Sequence, residues 1–143
     1  MRALTLATTV ISALLGVAPA SADPGSAGSS ALSYPPPFVE HTQWVRWNQL
    51  PSLRVYPTAS GRAAARQLGS AGPEADEAWA EVLALSPDAD TAGMRAQFVC
   101  HWQFAERAQP GKASWNLEPW RPVVDDAEMF ATGCNPGGPE EAF

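Results

Sequence analysis

The chain predicts an α+β domain with a small antiparallel sheet, one main helix packed on a face, and one disulfide. Three observations carry this. Between Met94 and Ala105 the side chains Met94, Ala96, Phe98, Cys100, Trp102 and Phe104 alternate onto one side, as in a strand with one buried face. After Pro73, the residues Ala75, Ala78, Trp79, Val82 and Leu83 fall at i, i+3, i+4, i+7, i+8, the stripe of a packed helix. The only two cysteines, Cys100 and Cys134, are spaced as a structural staple rather than as a redox pair.

The N-terminus has the composition of an export signal, residues 1–22. Met1-Arg2 is a short basic start. Ala3 to Val17 is apolar but short for a bilayer span. Ala18-Pro19-Ala20 and Ala20-Ser21-Ala22 both fit a small-x-small cleavage site, with cleavage after Ala22 favoured and cleavage after Ala20 open. No cysteine follows either site, so free release is expected over lipid anchoring. Residues 23–41 form a Gly/Ser/Pro-rich arm, expected to be flexible, in which Tyr34-Pro35-Pro36-Pro37-Phe38 is expected to be an extended spacer, with a ligand for an aromatic groove as the alternative.

One domain is expected over 42–134. Strand formers at Trp44–Asn48 and Leu53–Tyr56, joined by Asn48–Ser52, predict a hairpin that Pro57 ends. Ser60 is placed to cap a short helix over 62–68, with Gly69 as its stop. Pro73 starts the main helix, Glu74, Asp76 and Glu77 suit its positive end, and Ser86-Pro87 closes it. Met94 to Ala105 is the predicted long strand, with Arg95, Gln97, Val99, His101 and Gln103 on its outer face. Prolines at Pro119 and Pro122 make Trp115–Val124 an edge segment. Asp125 caps a short helix to Thr132, and Gly133 stops it before Cys134. Residues 135–143 are an acidic, turn-rich tail. The disulfide would pin the chain end to the long strand.

Removing the leader leaves 121 residues with eight basic and fifteen acidic side chains, a net charge of −7. That balance argues against nucleic acid and against anionic lipid as partners. No second apolar run reaches the length of a membrane span. A monomer is expected.

The stretches Gln97-Phe98-Val99-Cys100-His101-Trp102, Trp115-Asn116-Leu117-Glu118-Pro119-Trp120-Arg121 and Cys134-Asn135-Pro136-Gly137-Gly138 resemble a family of small exported actinobacterial proteins known as a domain of unknown function. The resemblance covers residues 44–143. It implies an exported, disulfide-stapled domain and an actinobacterial source. It implies no activity, cofactor or catalytic residue.

Candidate chemistry comes from the residues themselves. Gln97, His101 and Gln103 share the predicted outer strand face and would suit a polar ligand, with His101 as acid or base; an ordinary solvated face is the plainer account. Glu118 lies between Trp115 and Trp120, flanked by Asn116 and Arg121. It would serve as a general acid if apolar surroundings raise its pKa; pairing with Arg121 is the plainer account. Six tryptophans in so short a chain offer either a core or a stacking platform, with Trp44, Trp47, Trp115 and Trp120 undetermined. His41 and His101 are the only histidines, and Asp88-Ala89-Asp90 lacks the rest of a calcium loop. No Gly-rich phosphate loop and no nucleophile elbow occur, so neither metal nor cofactor is expected. Two functions lead. One is a binding domain for a protein or envelope glycan, using Gln97, His101, Gln103, Asn116, Trp115, Trp120 and Arg121. The other is a small secreted hydrolase of an envelope polymer using Glu118 and His101. An inhibitor-like scaffold with no pocket is a third class.

Overall fold

The computed structural model describes residues 34–140, except 68 and 70. The expected signal segment, most of the arm, and the last three residues lie outside the described residues. Strand β1 (Val39–Trp47) turns at Asn48-Gln49 into β2 (Leu50–Pro57). Both turn residues have positive φ, 50° and 67°, the two-residue geometry that matches strand twist. The hairpin is as predicted, with a tighter turn, because Pro51 pairs with Arg46 inside the ladder. β3 (Trp115–Leu117) adds to β2 antiparallel, giving the order β1-β2-β3 with β3 at an edge.

Among the described residues four α-helices accompany the sheet: α1 (Ala59–Ala65), α2 (Pro73–Leu85), α3 (Met94–Ala108) and α4 (Asp126–Ala131). α1 starts earlier than predicted because Thr58, directly after Pro57, accepts from the Gly61 N–H at 2.9 Å and takes the cap position. Helix α2 follows its stripe, with Ala75, Ala78, Trp79 and Val82 buried. Glu81 on α2 accepts from the N–H groups of Phe38 and Val39 at 2.8 and 2.7 Å and fastens the start of β1. Phe38 and Val39 are buried, so core contacts begin upstream of Thr42.

The predicted long strand over Met94–Ala105 is helix α3 instead. The alternation has a helical origin. Met94, Phe98 and Trp102 lie four residues apart and form one ridge, which joins Ala105 in the main core. Ala96, Cys100 and Phe104 also lie four apart and form a second ridge, which meets Met129 and Val124 in a smaller cluster against α4. Residues two apart on a helix are rotated by about 200°. A helix packed on opposite sides therefore mimics a period of two. The main core also takes Leu53, Val55, Trp115 and Leu117 from one face of the sheet.

Helix α4 begins with Asp125 accepting from the Glu128 N–H at 2.9 Å, as its spacing predicts. Its end is a Schellman turn: Cys134 N–H donates to Met129 O at 2.9 Å and Gly133 N–H to Phe130 O at 3.0 Å. This turn delivers Cys134 to Cys100, with their Cα atoms 5.6 Å apart in a disulfide. The staple joins α3 to the end of α4, rather than a strand to a helix. Among the described residues, no helix is long and apolar enough to cross a membrane.

Candidate functional site

Because α3 is a helix, the outer strand face bearing Gln97, His101 and Gln103 does not exist. Gln97 and His101 fall on the buried side of α3, 1% and 3% exposed, while Gln103 is half-buried elsewhere on the helix. The fold nevertheless brings Gln97, His101, Glu118 and Arg121 together, as one buried polar network. Gln97 clamps the chain leaving β3: its Nε2 donates to Glu118 O and its Oε1 accepts from Glu118 N–H, both at 2.9 Å. The Glu118 carboxylate accepts from Arg121 Nε at 2.6 Å and from Ser52 Oγ at 2.9 Å. Arg121 Nη1 donates onward to Pro136 O at 3.1 Å and Gly138 O at 2.8 Å, and Nη2 reaches Pro139 O at 3.4 Å. Both charged side chains are essentially inaccessible. A buried ion pair stripped of water is tolerated only with this density of hydrogen bonds. The network holds the C-terminal segment to the sheet.

His101 adjoins the network. Its Nδ1 lies 2.9 Å from Gln97 O, so the carbonyl accepts and Nδ1 carries the proton. Burial pushes the imidazole down to about 4, against the raising effect of that carbonyl; the charges of Lys112 and Arg121 add to the lowering. His101 is therefore neutral at pH 7, with Nε2 as its acceptor edge. Burial likewise lowers Lys112 to about 8, while the Glu118 carboxylate works against the shift.

The tryptophans divide. Trp79, Trp102 and Trp115 are core, Trp47 and Trp120 are half-buried, and Trp44 is exposed on the hairpin. Trp120 lies under the Arg121 guanidinium, 4.5 Å from its ring centroid. Asn116 is fully buried and accepts from Ser114 Oγ at 2.8 Å. No platform forms from Trp115 and Trp120, since Trp115 is inside.

Open space lies instead along the seam of α3 and α4. Phe104 and Phe130 pack at 4.8 Å between centroids and line two cavities. One, of about 590 Å³, is bounded by His101, Phe104, Arg107, Lys112, Phe130 and Glu140. The other, of about 610 Å³, includes Arg95, Gln103, Asp126 and the Cys100 end of the disulfide. Lys112 and Glu140 form an ion pair at the first. Sequence reasoning missed Phe104, Lys112, Phe130 and Glu140. Lys112 follows Pro110-Gly111 and Glu140 lies in the acidic tail, and nothing local marks residues 28 apart as partners. Also unforeseen is Glu106, buried on α3 between Arg62 of α1 and Arg66 just past its end, with Arg66 Nη2 at 3.0 Å from its Oε2. Among the described residues, no three His, Cys, Asp or Glu side chains cluster as a metal site would require.

No solved structure matches the chain. It is 63% identical over 150 residues, covering all of both chains, to "Uncharacterized protein Rv0477" of Mycobacterium tuberculosis (strain H37Rv) and to "Uncharacterized protein Mb0487" of Mycobacterium bovis. It is 60% identical over 111 residues to "Uncharacterized protein ML2452" of Mycobacterium leprae, covering 76% of this chain and 89% of that one. Residues 39–137, from the start of β1 to just past the disulfide, match the family described as protein of unknown function (DUF2599), and the chain belongs to that family.

Proposed function

We propose that this is an exported binding domain whose ligand seat is the seam between α3 and α4, engaging a protein of the cell envelope. One observation carries the reading. The polar groups with catalytic potential are consumed in a buried network, whereas the cavity beside them combines an aromatic wall with a neutral imidazole and two cations. Cavities of that volume and mixed lining are typical of ligand sites. The disulfide supports an oxidising compartment, in keeping with the signal-like N-terminus. A hydrolase built on Glu118 and His101 gains no support. His101 lines the cavity but Glu118 does not, and both carboxylate oxygens are already engaged.

The test is affinity capture from an envelope fraction by the mature chain and by Phe130→Asp. Phe130 is 60% exposed, so the substitution leaves the core intact. The expected result is a retained protein that the variant loses while keeping its melting temperature. A glycan retained in its place would change the partner class. Equal retention by both chains, or none, would refute the seam as the seat.

A further inference from the structure

We infer that the cavity bounded by His101, Phe104, Lys112 and Phe130 is a seat for an acidic peptide, held in the free protein by the chain's own Glu140. This rests on the binding reading above and adds the chemistry of the ligand. The first ground is that the seat already contains a peptide acid. Glu140 lines the cavity and its carboxylate pairs with Lys112. The second is charge. The chain is acidic, at −6 overall, yet Lys112 and Arg107 both line this cavity. With Glu140 in place one cation remains in excess, and with Glu140 displaced there are two. Such a local reversal of sign favours an anionic ligand.

The third ground is how the tail is held. Arg121 grips the carbonyls of Pro136, Gly138 and Pro139, which anchors the backbone up to the residue before Glu140. Exchange of Glu140 for an incoming carboxylate therefore needs only a side-chain swing, with the tail still docked. Lys112 is fixed at its backbone, donating to Gln109 O at 3.1 Å and accepting from Arg62 Nη2 at 2.7 Å. The rest of the lining suits a peptide: Phe104, Ala105 and Phe130 for an apolar side chain, and the acceptor edge of His101 for an N–H.

The experiment uses the full mature chain, ¹⁵N-labelled, at pH 7 and fixed ionic strength. Acetyl-Glu-Phe-amide is titrated in, with acetyl-Gln-Phe-amide as the neutral twin. Shifts are expected at Phe104, Lys112 and Phe130, with the acidic peptide binding more tightly than its twin. Glu140→Gln should tighten the acidic peptide about fivefold, the effect of removing one competing, partly exposed ion pair, and leave the neutral twin unchanged. Lys112→Gln should abolish the difference between the peptides. If both peptides bind equally to the wild type, the anion seat is refuted while the seam survives as a binding site. If Glu140→Gln leaves the acidic peptide unchanged or weaker, the tail is not a competitor and the inference fails. If neither peptide shifts the seam in any chain, the inference and the binding reading fall together.

Discussion

At Glu118 the outcome is decided by what surrounds a carboxylate, not by its neighbours in sequence. Arg121 and Ser52 bond its carboxylate and the Gln97 clamp encloses its backbone, so its work is structural. Glu118→Ala strands the Arg121 guanidinium in the interior and should cost about 3–5 kcal/mol, read by urea unfolding. The double change Glu118→Leu with Arg121→Met should cost clearly less than the single one. A near-neutral Glu118→Ala would contradict this account. His101 makes a second prediction. Its folded pKa is about 4, below the ordinary value of 6.5, so the native state resists a proton that the unfolded chain accepts. Nothing is lost above pH 6.5. As pH falls from there toward 4, stability should drop by about 2–3 kcal/mol on this account. Urea midpoints at pH 7 and 4.5 should lie closer together in His101→Asn than in the wild type. Identical pH profiles would show that His101 is not the group responsible. Gln97, His101, Glu118 and Arg121 were legible as special because polar residues stood among aromatics. Their direction was not, since residue identity reports a need for partners and says nothing of which side supplies them.

At the scale of elements, the hairpin, α2, the edge strand at Trp115 and the capped α4 followed from local signals: strand formers around a turn, a helical stripe after Pro73, prolines after β3, and Asp125. Helix α3 did not. Its two ridges, Met94/Phe98/Trp102 and Ala96/Cys100/Phe104, both read as one strand face, and only contact with α4 on the far side distinguishes the cases. The stripe 94, 97, 98, 101, 102, 105 was present, but polar Gln97 and His101 broke it. The same geometry sets the role of the disulfide, which clasps a six-residue helix that could not persist alone. Cys134→Ser should cost about 3–4 kcal/mol and lower the melting temperature by more than about 10 °C, measured by calorimetry. An unchanged melting temperature would mean that α4 docks without its clasp. Helix α1 offers an independent check. A Cβ on Gly61 would run into the Phe38 carbonyl, well inside contact distance. Gly61→Ala should therefore destabilise by about 1–3 kcal/mol despite alanine's better helix propensity. Stabilisation would show that α1 and the segment before β1 are not packed as described.

For the molecule as a whole, the sheet and main core form one side of the structure and the α3–α4 seam a second, smaller one, closed by the disulfide and edged by the tail. The exposed hairpin, with Trp44 at 38% and Leu50 at 39%, is the competing surface for any partner. The two surfaces are on different elements, so a map of contact separates them. The most direct measurement is a ¹⁵N–¹H correlation spectrum of the mature chain titrated with the protein captured from the envelope fraction. A seat at the α3–α4 seam requires that amides of Phe104, Lys112, Phe130 and Gly133 shift or broaden first, with Trp44 to Leu50 unmoved. Perturbation centred on Trp44 to Leu50, with the α3–α4 amides unchanged, would contradict it.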